Sequence, residues 1–600
     1  MYRAPLRELR FVLGELLQAG RLAGYPGLAD YAFGSGAGGD DLAGSILEEA
    51  GRFAETVLDP LNRPGDAQGA RWTEEGVVTA PGFRDAYRQF AAGGWTQLGT
   101  DPDYGGQAAP QALVTAVQEI WASANLAFKL CPMLTHGAVH ALELCATPEQ
   151  KRRFLPKMIS GEWTGTMNLT EPQAGSDLAQ IRTRAVPEGG DQYRLFGQKI
   201  FITWGDHDCT TNIIHMVLAR IEGAPPGVKG ISLFIVPKVL VNDDGSLGER
   251  NEIRCVSIEH KLGIHASPTC VLAYGDHRGA VGYLVGEPNR GLEYMFIMMN
   301  AARLSVGLEG YAVAERSYQQ ALEWARTRVQ GKPPMAQSGG AAPIIQHPDV
   351  KRMLLVMKST TEACRAVALY AALQLDMATH EPDQRLRTLA QARADLLIPI
   401  VKGWCTETGN QTAGIGVQIH GGMGFIEETG AAQYVRDARI TTIYEGTTGI
   451  QSNDLIGRKM GRDGGAAMRL LIEEMDRELH GLEGADASVR PCVNAAIESV
   501  SLLRDASETI VNAMASRPDT AMAVSVPYLM LCGYAIGGWL MAKAAAIAAG
   551  NLSGGEKAFY EAKLRTARFY ADQVLPNALA LARIVLAGSS SVVETDAALI

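Results

Sequence analysis

From Asp40 to about Ser160 apolar positions recur at three- and four-residue spacing, most clearly in Asp41–Arg63 and again in Ala112–Phe128. That period predicts amphipathic helices. The pattern changes near Gly165. Short apolar runs follow at Tyr193–Trp204, Asn212–Ile221, Gly230–Val239, Ile253–Ile258 and Cys270–Gly275, each bounded by glycine, proline or charge. These read as strands. They lie too close together for crossover helices, so a mainly antiparallel sheet or barrel is expected. From Gly291 the helical period returns through Leu292–Val329, Val350–Thr379 and Leu386–Gln411, and a further alanine- and leucine-rich helical region follows Gly465. The expected fold class is therefore α+β and multidomain. It comprises an N-terminal extension (1–45), an N-terminal helical domain (46–164) and a central antiparallel β domain (165–288). A C-terminal helical bundle (289–462) and an additional helical domain (463–600) complete it. Gly34–Gly39 reads as a flexible connector and Gly331–Gly340 as an exposed insertion.

Composition narrows the function classes. Of 600 residues, 47% are hydrophobic and 20% charged, which fits a globular protein rather than a disordered one. The formal net charge of -10 weighs against a nucleic-acid binder, and Lys151–Arg153 reads as a solvated helix face. Nine cysteines, an odd number with no CxxC pair, need no disulfide framework and fit a reducing, cytoplasmic setting. The first twenty residues carry Arg3, Arg7 and Arg10 on a helical pattern, but Glu8 and Glu15 argue for an ordinary amphipathic helix over a targeting presequence. Val524–Leu540 is apolar yet broken by Pro527 and several glycines, so no membrane span is expected there. His136 and His140 stand one helical turn apart without an HExxH pattern, and no metal is expected.

Two strings carry candidate chemistry. Gln418–Phe425 is glycine-rich and is followed by Val435–Arg439 and Ile443–Gln451. Glycine lets backbone approach a bulky flat or phosphorylated ligand. Tyr444-Glu445-Gly446 sets one carboxylate at an apolar turn, where desolvation raises its pKa and makes it a better base. Alone, Glu445 reads equally as a helix cap or a salt-bridge partner. Met167–Asp177 offers the Thr170 and Ser176 hydroxyls to a planar heterocycle, or is simply a capped loop entering a strand.

Together, in order, these strings resemble the acyl-CoA dehydrogenase family. The resemblance spans about residues 46–460 and rests on T-E-P-x-A-G-S-D at Thr170–Asp177, G-x-K-x-x-I-T at Gly197–Thr203, H-K-L-G-I at His260–Ile264 and I-Y-E-G-T at Ile443–Thr447. The layout, with its extension and long helical C-terminal part, is most like the branch containing 3-methylmercaptopropionyl-CoA dehydrogenase. The resemblance implies FAD-dependent α,β-dehydrogenation of an acyl-CoA to a trans-2-enoyl-CoA. Glu445 would be the base, hydride would pass to flavin N5, and the thioester carbonyl would be polarised by the Glu445 N–H and a ribityl hydroxyl. Electrons would pass to electron-transfer flavoprotein. It also implies that Leu169, Thr170, Phe201, Ile202, Thr203 and Thr447 contact FAD, and that Ser176 contacts FAD or the CoA part of the substrate. Gln418, Gly422 and Arg328 would serve cofactor binding across a dimer or larger oligomer. Asn300, Arg303 and Gly446 would meet the substrate. Arg328-Val-Gln-Gly331 lacks the phenylalanine of the family's R-x-x-F-G. Ala302 stands where some relatives place the base and cannot act as one. The expected substrate is 3-methylmercaptopropionyl-CoA or a short- or medium-chain fatty acyl-CoA. The alternatives are an acyl-CoA oxidase and a flavin-bearing, nucleic-acid-associated stress protein.

Overall fold

A computed structural model describes residues 1–31, 33, 41–334 and 340–600. The Gly34–Gly39 connector and residues 335–339 of the expected insertion lie outside the described residues. The chain forms two compact units, one built from Arg52–Pro110 and Ala124–Ala302, the other from Met1–Gly51, Gln111–Ser123 and Arg303–Ile600.

The first of these units is organised by an eight-stranded sheet. Its strands are β1 (Trp163–Asn168), β2 (Arg184–Gly189), β3 (Gln192–Thr203), β4 (Asn212–Ile221), β5 (Ile231–Pro237), β6 (Ile253–Ile258), β7 (Thr269–Tyr274) and β8 (Ala280–Val285). Strand β3 pairs antiparallel with β2 on one side and β8 on the other; β8 pairs with β5, β5 with β4, and β4 returns parallel to β2. Those five pairings close a ring, so the sheet is barrel-like at its centre. Closure removes the exposed edges that an open sheet would carry. Strand β1 adds parallel to β4, and β7 and β6 extend the sheet from β3. The interior is filled by alternate residues, among them Leu195, Val217, Phe234, Val236 and Leu272. The five apolar runs all form strands as their pattern predicts. Strands β1, β2 and β8 were not among the expected runs: Trp-Thr-Gly-Thr-Met-Asn in β1 has little apolar alternation, and its burial comes from packing under the helix Leu126–Cys145, whereas Ala280–Val285 in β8 is apolar. The approach is close, since a Cβ on Gly165 would lie 2.6 Å from that of Ala138.

The second unit is helical. The helix Gly291–Thr327 enters it at Arg303, and Pro348–His380 and Gln384–Ile400 pack beside it. The third helix does not stop near Gln411. It passes through a π-helical segment, Val401–Cys405, and continues as Thr406–His420. Arg365 is fully buried between the carboxylates of Glu119 (2.7 Å) and Glu315 (2.8 Å) and ties three helices together.

The residues beyond 465 form helices packed into this same unit. Ser525–Gly550 is, among the described residues, the one helix long and apolar enough to cross a membrane, and 78% of its apolar window is buried within the unit. Its glycines do not interrupt it. They seat neighbours: a Cβ on Gly533 would lie 2.1 Å from the Trp404 ring. The first residues join this packing. Tyr2, Leu9 and Phe11 are buried, Arg7 donates to Glu556 at 2.8 Å, and Lys563 bridges Glu8 and Glu362. All nine cysteines are free.

Candidate active site

The helical unit holds the turn Ile443–Thr447. Glu445 adopts a left-handed backbone conformation (φ 55°) and Gly446 follows with φ 89°. The conformation costs a non-glycine residue about 1–2 kcal/mol, and surrounding hydrogen bonds hold it. The fully buried Gln451 donates from Nε2 to the carbonyls of Glu445 (3.0 Å) and Gly446 (3.2 Å). Tyr444 donates its hydroxyl to Glu309. Thr447 caps the helix Thr448–Asn453 by accepting from the Ile450 N–H at 3.3 Å, so its hydroxyl has a structural task as well as an exposed position.

The Glu445 side chain is half-buried, and no hydrogen bond engages its carboxylate among the described residues. Burial pushes its pKa up to about 7, against the opposing pull of Arg303 and Lys402 and with a further push from Glu309. A carboxyl group poised there is a competent base near neutral pH. Arg303 was expected to meet the CoA moiety. Here it is 2% exposed and donates to Asp454 at 3.0 Å, while Asp454 also takes Arg458 at 2.6 Å. A guanidinium buried and paired in this way is withdrawn from a solvated phosphate, and its evident influence is on Glu445. Asn300, one turn earlier on the same helix, is half-buried, and Ala302 is buried.

The β unit brings two of the sequence strings together. The Ile200 N–H donates to the Thr170 carbonyl at 2.9 Å, and Lys199 donates to the Leu169 carbonyl at 2.9 Å. Beneath them Glu171 accepts from Lys199 (2.8 Å), from the Thr183 hydroxyl (2.6 Å) and from the Arg182 N–H (2.6 Å). Burial would raise the Glu171 carboxyl, but Lys199 and these donors outweigh it and hold it at about 2. Above this staple, Phe201 stands 57% exposed with φ 58°, and Ser176 is exposed beside the half-buried Leu169, Thr170 and Thr203. Ile202 departs from expectation. Its side chain is 2% exposed and belongs to the barrel core, as strand alternation next to an outward Phe201 requires. Its backbone pairs with Cys270 of β7. An aromatic wall, three hydroxyls and ordered backbone groups fit the flat, hydrogen-bonding ring system of a flavin.

In the helical unit, Gln418 lies exposed in the last turn of Thr406–His420, and a Cβ on Gly421 or Gly422 would meet nothing within 4 Å among the described residues. Phe425 is 85% exposed beside them, and Arg328 is exposed beyond the end of its helix. His420 is a packing residue: it donates from Nδ1 to the Gly416 carbonyl (2.7 Å) and stacks on Trp324 with ring centroids 5.2 Å apart.

Reading the sequence did not single out Glu309, Asp454, Gln451 or Lys402. Lys402 left a trace, as the lone charge in the apolar run Leu396–Trp404. Glu171 lay inside a string already marked, but as a motif letter rather than a buried ion-pair partner.

Four family descriptions match the chain in succession: acyl-CoA dehydrogenase N-terminal domain (44–162), middle domain (166–276), C-terminal domain (289–460), and acetyl-CoA dehydrogenase C-terminal like (471–596). The chain is 46% identical over 575 residues to 3-methylmercaptopropionyl-CoA dehydrogenase of Ruegeria pomeroyi, covering 96% of each. It is 34% identical to the broad-specificity linear acyl-CoA dehydrogenase of Mycobacterium tuberculosis, covering 100% of this chain and 99% of that one. An acyl-CoA dehydrogenase from Bacillus anthracis, solved in complex with FAD, has the same fold at a TM-score of 0.73 and 20% identity, with 93% of this chain and 89% of that chain covered. The chain belongs to the acyl-CoA dehydrogenase family.

Proposed function

We propose that this enzyme oxidises 3-methylmercaptopropionyl-CoA between its α and β carbons to the trans-2-enoyl-CoA, with Glu445 accepting the α-proton. The observation that carries this reading is Glu445 itself, half-buried on a strained but firmly hydrogen-bonded turn, with a pKa of about 7. A base must be desolvated enough to take a weakly acidic proton and fixed enough to meet it. Gln451 and the Tyr444–Glu309 bond supply the fixing. The Glu445 N–H serves as a donor to the thioester oxygen, so that negative charge developing there is met by a preorganised dipole.

FAD is the cofactor, and when bound it supplies the hydride acceptor. Leu169, Thr170, Ser176, Phe201, Thr203 and the Ile202 backbone would hold its ring system. Arg328, Gln418 and Gly422 would serve the cofactor of a neighbouring subunit. Their exposure, and that of Phe425 beside them, supports a homodimer or larger assembly. Electron-transfer flavoprotein is the proposed electron acceptor, and nine free thiols support a cytoplasmic setting. The likeness to the Ruegeria enzyme supports the thioether substrate over a plain fatty acyl chain.

A steady-state screen of 3-methylmercaptopropionyl-, butyryl- and octanoyl-CoA, with a dye acceptor and separately with oxygen, tests this. The thioether substrate should have the highest kcat/KM, by about tenfold over butyryl-CoA, the discrimination that one or two atoms in an apolar pocket give. Oxygen should support little turnover. A preference for octanoyl-CoA would overturn the substrate assignment, and fast oxygen-dependent turnover would make the enzyme an oxidase.

A further inference from the structure

Lys402 is 0% exposed, and its Nζ has no hydrogen-bond partner among the described residues. An ammonium stripped of water without compensation is costly, and most proteins avoid it. It sits in the π-helical segment Val401–Cys405, between the α-helices Gln384–Ile400 and Thr406–His420. The extra residue in a π-turn re-aims side chains relative to the helix on either side, and such bulges recur at functional sites.

The segment is clamped from two directions. On one side the helix Gly291–Thr327 approaches so closely that a Cβ on Gly307 would lie 2.6 Å from Val401 Cγ1, and one on Gly310 would lie 2.5 Å from the Cys405 carbonyl oxygen. On the other side lies the C-terminal helix Ser525–Gly550. Leu529 fills the space where Gly403 lacks a side chain, and Trp404 packs into the gap at Gly533. Lys402 is thereby fixed in depth by helices from both halves of this unit.

The charged groups acting on Lys402 are Glu445 first, then Glu309, Arg303 and Glu407. Three of these are already engaged. Glu309 accepts from Tyr444, Glu407 accepts from Thr448 at 2.6 Å, and Arg303 is paired with Asp454 at 3.0 Å. The carboxylate of Glu445 has no such bond among the described residues. The charges acting on Glu445 are in turn Arg303, Lys402 and Glu309.

We propose that Lys402 is a positioning residue for the reaction: its clamped, unpartnered ammonium keeps Glu445 in the ionised, proton-accepting form. The inference rests on the reading of Glu445 as the base. Burial lowers the lysine to about 8, so it remains a cation at neutral pH. The C-terminal helical region thus acts on the chemistry, because its helix Ser525–Gly550 sets where the π-segment lies.

The test is the pH dependence of anaerobic flavin reduction in holoenzyme variants Lys402→Met and Lys402→Gln. Without the cation, Glu445 holds its proton to higher pH. The lower limb of the profile should move up by about one pH unit, the scale of a nearby opposite charge. The rate at pH below the limb should fall about tenfold, with the high-pH plateau near wild type. Lys402→Met should keep its FAD and melt at or above the wild-type Tm, because an apolar chain of similar length replaces an uncompensated charge. If either variant, folded and holding FAD, has a limb coincident with wild type, the proposal is overturned. It is overturned equally if both variants fail to fold, which would make the lysine structural. Glu445→Gln separates the two readings: if it reduces flavin normally, the base assignment has failed, whereas a dead Glu445→Gln beside an unshifted Lys402→Met condemns only the role of the lysine.

Discussion

Glu445→Gln is expected to slow anaerobic reduction of the flavin by substrate about 10²–10⁴-fold, the usual worth of a positioned general base. The substitution keeps shape and most hydrogen-bonding capacity. The turn is held through backbone carbonyls, which Gln451 binds regardless of the side chain at position 445. The variant should therefore fold, retain FAD and bind acyl-CoA with little change. Stopped-flow bleaching of the flavin absorbance reads the rate, and equilibrium titration reads the binding. The wild-type pH profile carries the same signature. The proposed base would work only when deprotonated, and burial raises the Glu445 pKa to about 7. The rate should rise about tenfold per pH unit below that value and level off above it. Loss of FAD together with activity would instead assign Glu445 a structural role.

Glu171→Gln should have the second large effect, on stability and cofactor retention together. Glu171 is 4% exposed and neutralises Lys199, which is 0% exposed. Removing one partner of a buried pair leaves an uncompensated charge and costs about 3–5 kcal/mol. The damage would not stay local to the pair, because Lys199 also holds the Leu169 carbonyl and Glu171 gathers the Thr183 and Arg182 donors. The proposed flavin-contacting loop and strand would come apart. Calorimetry should show a lowered transition, and gel filtration should separate free FAD from the protein. The same pair sets an acid limit. The carboxyl is held at about 2 against an ordinary value of 4.5. Its stabilisation is therefore complete above about pH 4.5 and drains away as pH falls toward 2. A variant with unchanged Tm and full FAD occupancy would show that the pair is dispensable.

What the sequence made legible was what repeats or what chemistry punctuates. Strands rich in alternating Val, Ile and Phe, such as Asn212–Ile221, announced themselves, and so did the long helices. Strand β1 did not, because it is buried by its neighbours rather than by its own composition. The third helix of the bundle was expected to end near Gln411, whereas it runs on to His420 through a π-turn that no periodicity at 3.6 residues can reveal. The glycines of Ser525–Gly550 looked like breaks. In the fold they are seats for Trp404 and Leu575, since a small residue that weakens an isolated helix also permits close packing. The candidate site was legible where local motif chemistry marks it, at Thr170 and at the Glu445 turn. It was not legible where distant residues converge. Arg303 and Lys402 lie about a hundred residues apart, and only the folded helices bring both charges to bear on Glu445. Ile202 illustrates the same limit on a smaller scale: its motif letter marks it, but strand alternation turns its side chain into the core.

The most direct test of the central claim is to mix the FAD-loaded wild-type protein anaerobically with 3-methylmercaptopropionyl-CoA and analyse the quenched mixture by mass spectrometry. The account predicts bleaching of the flavin and formation of about one enoyl-CoA per flavin reduced, lighter than the substrate by two hydrogens. A flavin that stays oxidised with this and every other acyl-CoA, while the substrate returns unchanged, would contradict it.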